Sequence, residues 1–229
     1  MSFLLVHGAF RGGWAWGPVA RLLRAAGHRV AAPSLWGMGE LTPPPEDRGH
    51  VGLDRWRAQV ADLARLEDLH DVVLVGHSQG GLVARAAAGD LGGRLAAVAY
   101  LDAPIARRGQ RGVDLLGDPP EVLPPADGWL EPRPLGVDDH HGPDLVAWVN
   151  DRLGPTPVGP SLDPVDSPEP EVPTHVAFCA HTAAGFPSTA TRAEMDRRGL
   201  PYRLFDAPHD APLTHPGPVA DWLLGLTAG

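Results

Sequence analysis

Val72-Val73-Leu74-Val75 runs without a polar side chain into Gly76-His77-Ser78-Gln79-Gly80-Gly81, and an alanine-rich stretch follows to Ala88. This junction constrains the fold more than any other part of the chain. A strand that is apolar at every position has both faces buried, as in a parallel sheet covered by helices. The pattern Gly-x-Ser-x-Gly is common and weak by itself. Between such a strand and a helix it predicts a sharp turn with Ser78 exposed above the sheet, and glycines flank it because the turn leaves no room for side chains. A serine there sits at a helix N-terminus, where developing negative charge is favoured. Ser78 is the candidate nucleophile, and an incidental Gly-Ser turn is the plainer alternative.

The rest of the chain repeats the alternation of short apolar runs with amphipathic ones. Strands are expected at Phe3–Val6, Arg29–Ala32, Val72–Val75, Ala97–Leu101, Val176–Cys179 and Tyr202–Phe205. Helices are expected near Trp14–Ala26, Leu53–Leu66, Gly80–Ala88, Leu145–Leu153, Thr189–Arg198 and Pro218–Leu226. In the second of these, Trp56, Val60 and Leu63 recur three to four apart and mark one buried face. The rhythm fails between Pro104 and Pro173, which hold 15 of the 26 prolines. Long irregular stretches of this kind are lids, binding loops or linkers. With Trp129, Val146 and Trp148 as apolar anchors, residues 105–173 read as a cap inserted into a core of residues 1–104 and 174–229; a poorly ordered insertion is the alternative.

Composition removes several chemistries. The 229 residues contain 19 basic side chains, all arginine, so Schiff-base, phosphate-loop and Ser–Lys mechanisms are excluded. The formal charge of −9 argues against a nucleic-acid partner. One cysteine, Cys179, makes neither an internal disulfide nor a multi-cysteine zinc site. The start, Met1 to His7, is apolar for too few residues to act as a signal peptide or to span a bilayer. We expect a cytoplasmic protein without a membrane partner that acts on a small molecule; oligomeric state is left open.

An acyl-transfer serine needs hydrogen-bond donors for the oxyanion. The backbone N–H of Gln79 is one candidate, and the turn His7-Gly8-Ala9-Phe10 supplies the N–H of Ala9 as a second. His7 reads as a residue that holds loops together. Among 11 histidines, His209 lies in the loop between the last strand and the last helix, which makes it the candidate general base. His140 and His141, beside Asp138 and Asp139, suggest a polar turn, with a metal site as the sharper but weaker reading.

His7-Gly8-Ala9-Phe10-Arg11-Gly12-Gly13-Trp14-Ala15-Trp16, the Gly37-Met38-Gly39 loop, Gly76–Gly80 and His209-Asp210-Ala211-Pro212-Leu213 together resemble the α/β-hydrolase superfamily. More narrowly, they resemble its small plant-type esterase and hydroxynitrile-lyase branch with bacterial relatives. The resemblance implies an α/β fold with a six-stranded, mainly parallel sheet in the order 2-1-3-4-5-6, helices on both faces and a cap after the fourth strand. It implies Ser78 as nucleophile, His209 as base, Ala9 and Gln79 as oxyanion donors, and neither cofactor nor metal. Phe10, Trp129 and Trp148 are the expected pocket residues. Arg11 reads as a solvent-exposed loop residue, or else as a partner for a substrate carboxylate.

The third triad member departs from the pattern. Relatives usually carry it after the fifth strand, where this chain has Cys179-Ala180-His181-Thr182-Ala183-Ala184-Gly185-Phe186-Pro187 and no carboxylate. Some superfamily branches keep the acid at the end of the fourth strand, and Asp102 stands there; a strand-end capping residue is the alternative. Asp206 and Asp210 look too constrained to reach the ring of His209, and His181 and Thr182 offer only weaker orientation. The reading is a serine hydrolase of esters or thioesters that works through an acyl-enzyme. A cyclase or isomerase with a modified triad, and a non-catalytic binding protein, are the alternatives. Cyanohydrin cleavage fits less well, because Gly8 and Asp210 stand where those relatives carry threonine and lysine.

Overall fold

A computed structural model describes residues 1–226. Six strands form the main sheet: β1 (Ser2–Val6), β2 (Arg29–Ala31), β3 (Val72–His77), β4 (Leu95–Leu101), and two later ones, β7 (Thr174–Cys179) and β8 (Arg203–Phe205). Their order is β2-β1-β3-β4-β7-β8, and every neighbouring pair is parallel. The chain therefore has the expected α/β-hydrolase topology.

Strand alternation divides the core in two, because successive side chains point to opposite faces. Leu4, Val6 and Leu74 join Trp56, Val60 and Val83 on one face. Phe3, Leu5, Val73 and Val75 join Trp16, Val19, Leu23 and Trp222 on the other. The first face is covered by α2 (Leu53–Leu66) and α3 (Gly80–Leu91), and the second by α1 (Gly17–Ala25) and the last helix, α8 (Pro216–Gly225). The helix expected from Trp14 begins instead as a tight 3-10 turn over Gly13–Trp16, and α1 starts at Gly17 with Pro18 in its first turn. Proline is at home there, since the first helical N–H groups have no partner inside the helix.

Between β4 and β7 the proline-rich segment holds more regular structure than its sequence suggests. Two short strands, β5 (Trp129–Leu130) and β6 (Thr156–Pro157), pair antiparallel, and α4 (Pro143–Asn150) and α5 (Gly159–Leu162) flank β6. Two-residue strands have no periodicity to read. The segment is fastened to α3: fully buried Arg85 donates to the carbonyls of Pro168 and Ser167 at 2.8 and 3.2 Å, and pairs with Glu169. The chain then returns through β7, α6 (Pro187–Arg198), β8 and α7 (Ala211–Thr214). Among the described residues no helix is long and apolar enough to cross a membrane.

Candidate active site

Sheet register brings two side chains to one level. His77 pairs with Leu101 across β3 and β4, so the next residues, Ser78 and Asp102, leave adjacent strand ends together. The ladder continues through them, with Ser78 N–H donating to Leu101 O at 3.2 Å and Asp102 N–H to Ala177 O at 2.7 Å. Both then enter the left-handed region, at φ 53° and 45°. A non-glycine residue holds that conformation at a cost of roughly 1–3 kcal/mol, and it turns the chain sharply away from the strand. The crowding leaves no room for flanking side chains. A Cβ on Gly8 would lie 2.7 Å from Ser78 Cβ, and one on Gly80 would meet the Val6 and His7 carbonyls at 2.5 and 2.6 Å.

His209 enters from the loop between β8 and α7. Its Nδ1 lies 2.6 Å from Asp102 Oδ2 and its Nε2 lies 2.9 Å from Ser78 Oγ. An ionised carboxylate only accepts, so Nδ1 carries the proton and the Nε2 lone pair faces the serine hydroxyl. Burial pushes the Asp102 carboxyl up, but the hydrogen bond and charge of His209 and the Thr182 hydroxyl outweigh it, so it stays below the usual carboxylate range. Thr182 thus stands in the loop after β7 and donates to the carboxylate at the end of β4. The Cys179 N–H reaches the other oxygen at 3.5 Å.

The candidate base is held by its backbone as well. His77 Nε2–H donates to the His209 carbonyl at 2.9 Å, with the two rings 4.8 Å apart. Burial, and then the charge of His209, push His77 down to about 4, so it serves as a neutral donor. His7 is likewise pushed to about 4, by burial. Its Nδ1–H meets Gly8 O at 2.8 Å and its Nε2 accepts from Leu35 N–H at 3.0 Å, tying the β1 turn to the Leu35 loop.

Ala9, Phe10, Ser78 and Gln79 line a cavity of about 580 Å³. Among the described residues, no acceptor meets the Ala9 or Gln79 N–H. The remaining walls are mostly apolar, with Leu82, Val113, Leu116, Leu130, Val158 and Phe186 prominent; Thr156 and Ser161 add two hydroxyl-bearing side chains, and among the described residues no charged side chain lines the cavity.

Two expected pocket residues lie elsewhere. Alternation along β5 sends Leu130 to the cavity and Trp129 away. Trp129 instead packs on Gly37 and donates to Gly49 O at 3.2 Å. Trp148 meets Trp14 edge-on at 5.3 Å, under the guanidinium of Arg152. Arg11 corrects both readings offered for it: its Nη2 donates to the two Asp210 oxygens at 3.2 and 2.9 Å, with the side chains 11% and 10% exposed. Asp210 is therefore occupied, and among the described residues no hydrogen bond joins it to the ring of His209, whose Nδ1 meets Asp102. In the acidic turn, His141 Nδ1–H bonds Asp138 at 2.9 Å. Among the described residues no group of three or more His, Cys, Asp or Glu side chains is placed to hold a metal.

The chain is similar to a carbendazim hydrolyzing esterase of Nocardioides sp. (strain SG-4G), 38% identical over 124 residues that make up 54% of this chain and 49% of that protein. It is also similar to an alpha-hydroxynitrile lyase of Arabidopsis thaliana, 33% identical over 101 residues, or 44% of this chain and 39% of that one. It spans about half the length, or less, of these relatives. An extracellular alpha/beta-hydrolase from a Paenibacillus species superposes with a TM-score of 0.79 at 18% identity, covering 99% of this chain and 98% of that chain. A methylesterase from Arabidopsis superposes with a TM-score of 0.76 at 22% identity, covering 100% and 99%. The model of the alpha/beta hydrolase family matches residues 3–222. From its strand order to the turn around Ser78, and by this match over nearly its whole length, the chain belongs to the alpha/beta hydrolase family.

Proposed function

We propose that this protein hydrolyses an uncharged, apolar carboxylic ester or thioester through an acyl-enzyme on Ser78. The observation that carries the reading is the hydrogen-bonded line Asp102–His209–Ser78, which ends in a cavity also lined by Ala9 and Gln79, whose N–H groups meet no acceptor, and by no charged side chain, among the described residues. Ser78 Oγ attacks the carbonyl carbon as His209 Nε2 takes its proton. The carbonyl oxygen becomes an oxyanion, accepted by the Ala9 and Gln79 N–H groups. The tetrahedral intermediate collapses, and the leaving alcohol or thiol departs with the proton from His209. A water then gives its proton to His209 and attacks the acyl group, and the acid leaves as the proton returns to Ser78. Asp102 stabilises the imidazolium in both halves. No step asks for a metal or cofactor.

Residues 105–173 serve in this reading as a cap over the site, with the core formed by 1–104 and 174–229. The names of the similar esterases support ester cleavage, and Asp210 in its ion pair with Arg11 offers no cation for cyanide elimination. Burying a charge in the apolar cavity without a partner is costly. A neutral p-nitrophenyl ester is therefore preferred in kcat/KM over a carboxylate-bearing analogue of equal size by at least about 100-fold, or ~2.7 kcal/mol. Ser78→Ala abolishes this hydrolysis and labelling by a fluorophosphonate probe. Full activity in Ser78→Ala overturns the mechanism, and a folded wild-type chain that neither labels nor hydrolyses points instead to binding or cyclisation.

A further inference from the structure

The segment between β4 and β7 grips both turns that carry the proposed oxyanion donors. On one side, the Phe10 N–H, one residue beyond Ala9, donates to Thr156 Oγ1 at 2.6 Å. The Phe10 carbonyl accepts from Gly154 N–H at 3.2 Å. Phe10 sits at φ 62°, a left-handed conformation that a bulky residue keeps only where its surroundings over-determine it. Here both of its backbone polar groups are taken by residues 154 and 156. On the other side, the Gln79 amide Nε2 donates to Ser161 Oγ at 2.9 Å. Thr156 is itself 1% exposed and held in the β5–β6 pair opposite Leu130. Ser161 belongs to α5, five residues further on.

Both residues line the cavity, neither hydroxyl bonds a strand of the main sheet, and neither lies on the line Asp102–His209–Ser78. Their shared property is the partner: each bonds a residue at, or next to, one of the two amides. An oxyanion hole works because its donors are fixed before charge develops, and a site whose supporting groups are loose loses rate without losing its outline. We propose that Thr156 and Ser161 are positioning residues that assemble the oxyanion hole, so that seating of the inserted segment sets the rate of the chemical step as well as covering the cavity. The inference rests on the reading of Ala9 and Gln79 as oxyanion donors.

The test compares Thr156→Val, Thr156→Ser, Ser161→Ala and Ser167→Ala with the wild type on a neutral p-nitrophenyl ester. Thr156→Val keeps the shape of the side chain and removes the acceptor. It lowers kcat about 10- to 100-fold, somewhat less than the loss of an oxyanion donor itself, with KM within about threefold. Affinity for a boronic acid, which forms a tetrahedral adduct on Ser78, falls in proportion, while affinity for the neutral alcohol product does not. Thr156→Ser restores kcat to within about threefold, and Ser161→Ala lowers it about 3- to 10-fold. Ser167→Ala is the control: it loses a 2.7 Å bond that anchors the same segment to Ala86 O, and neither residue lines the cavity. It lowers Tm and leaves kcat unchanged.

A folded Thr156→Val enzyme with kcat within twofold of wild type overturns the proposal, as does an equal loss of kcat in Ser167→Ala. If Thr156→Val does not fold, unchanged kcat and boronic-acid affinity in Ser161→Ala overturn it. Full activity in Ser78→Ala would remove the serine reading and this inference together. An inactive Ser78→Ala beside an unaffected Thr156→Val removes this inference alone.

Discussion

Asp102 and Asp210 are both close enough to the candidate base to feel its charge, and they have different partners. Asp102 meets the ring of His209 and is backed by Thr182, whereas Asp210, adjacent to His209 in sequence, is bound to Arg11. Their substitutions should therefore separate rate from stability. Asp102→Asn should lower kcat by about 10³- to 10⁴-fold in a folded protein, because an amide there selects the wrong imidazole tautomer. A kcat within tenfold of wild type would rule Asp102 out as the triad acid. Asp210→Asn leaves the Arg11 charge buried without its partner and should cost about 3 kcal/mol in urea unfolding. Its kcat in the folded protein should change far less than that of Asp102→Asn. Sequence proximity alone would favour Asp210 as the acid; the geometry points to the carboxylate 107 positions away.

At the scale of elements, strand, turn and helix around Ser78 form one unit. The turn is legible in the sequence because its constraints are local: a fully apolar strand, a helix-forming run and glycines where backbones touch. Gly80 shows the tolerance. Its missing side chain lets α3 start against the Val6 and His7 carbonyls of β1. Gly80→Ala should cost about 1–3 kcal/mol in the denaturant midpoint and should also lower kcat, since the helix start carries the Gln79 amide. An unchanged midpoint would show that β1 and α3 can separate freely. The inserted segment behaves differently. Leu130 faces the cavity while Trp129 turns away, and Trp148 leaves the site for Trp14. An aromatic residue in a segment without periodicity announces that it is buried, but not against what.

For the whole molecule, buried titratable groups set the pH range of stability. His7 and His77 are both held at about 4 by burial. The unfolded chain takes up protons on these rings near pH 6.5, while the folded chain refuses them until about pH 4. Unfolding therefore binds protons across that window, and stability falls as the pH drops through it. For His7 alone the loss amounts to about 3 kcal/mol between pH 6.5 and 4. Asp102 and Asp210 add a lower limb. Both stay below the ordinary carboxylate range despite burial, which pushes them up: His209 outweighs it at Asp102, and Arg11 at Asp210. Their contribution is present above about pH 3.9 and is lost as the pH falls further, through their folded values. Thermal unfolding should show Tm declining from pH 6.5 downward, and His7→Gln should flatten the decline between 6.5 and 4. An equally steep decline in His7→Gln would remove the buried ring as its cause.

The sequence by itself determined the class of fold, the sheet order through its resemblance to a known superfamily, and the position of the turn around Ser78. The fold class and the turn depend on patterns within one strand or one helix, where neighbours in sequence are neighbours in space, whereas the sheet order came only from the resemblance. The resemblance put Asp102 forward as the acid with a strand-end capping residue as the alternative; its contact with the His209 ring follows from the pairing of His77 with Leu101 and the return of the last loop, which only the tertiary structure contains. Tertiary structure also decided that Arg11 is spent on Asp210, that Thr182 backs Asp102, and that Thr156 and Ser161 reach the two turns beside the serine. Each of these contacts joins residues about 80 to 200 positions apart through one or two hydrogen bonds, and a lone hydroxyl or guanidinium leaves no trace in hydrophobic periodicity.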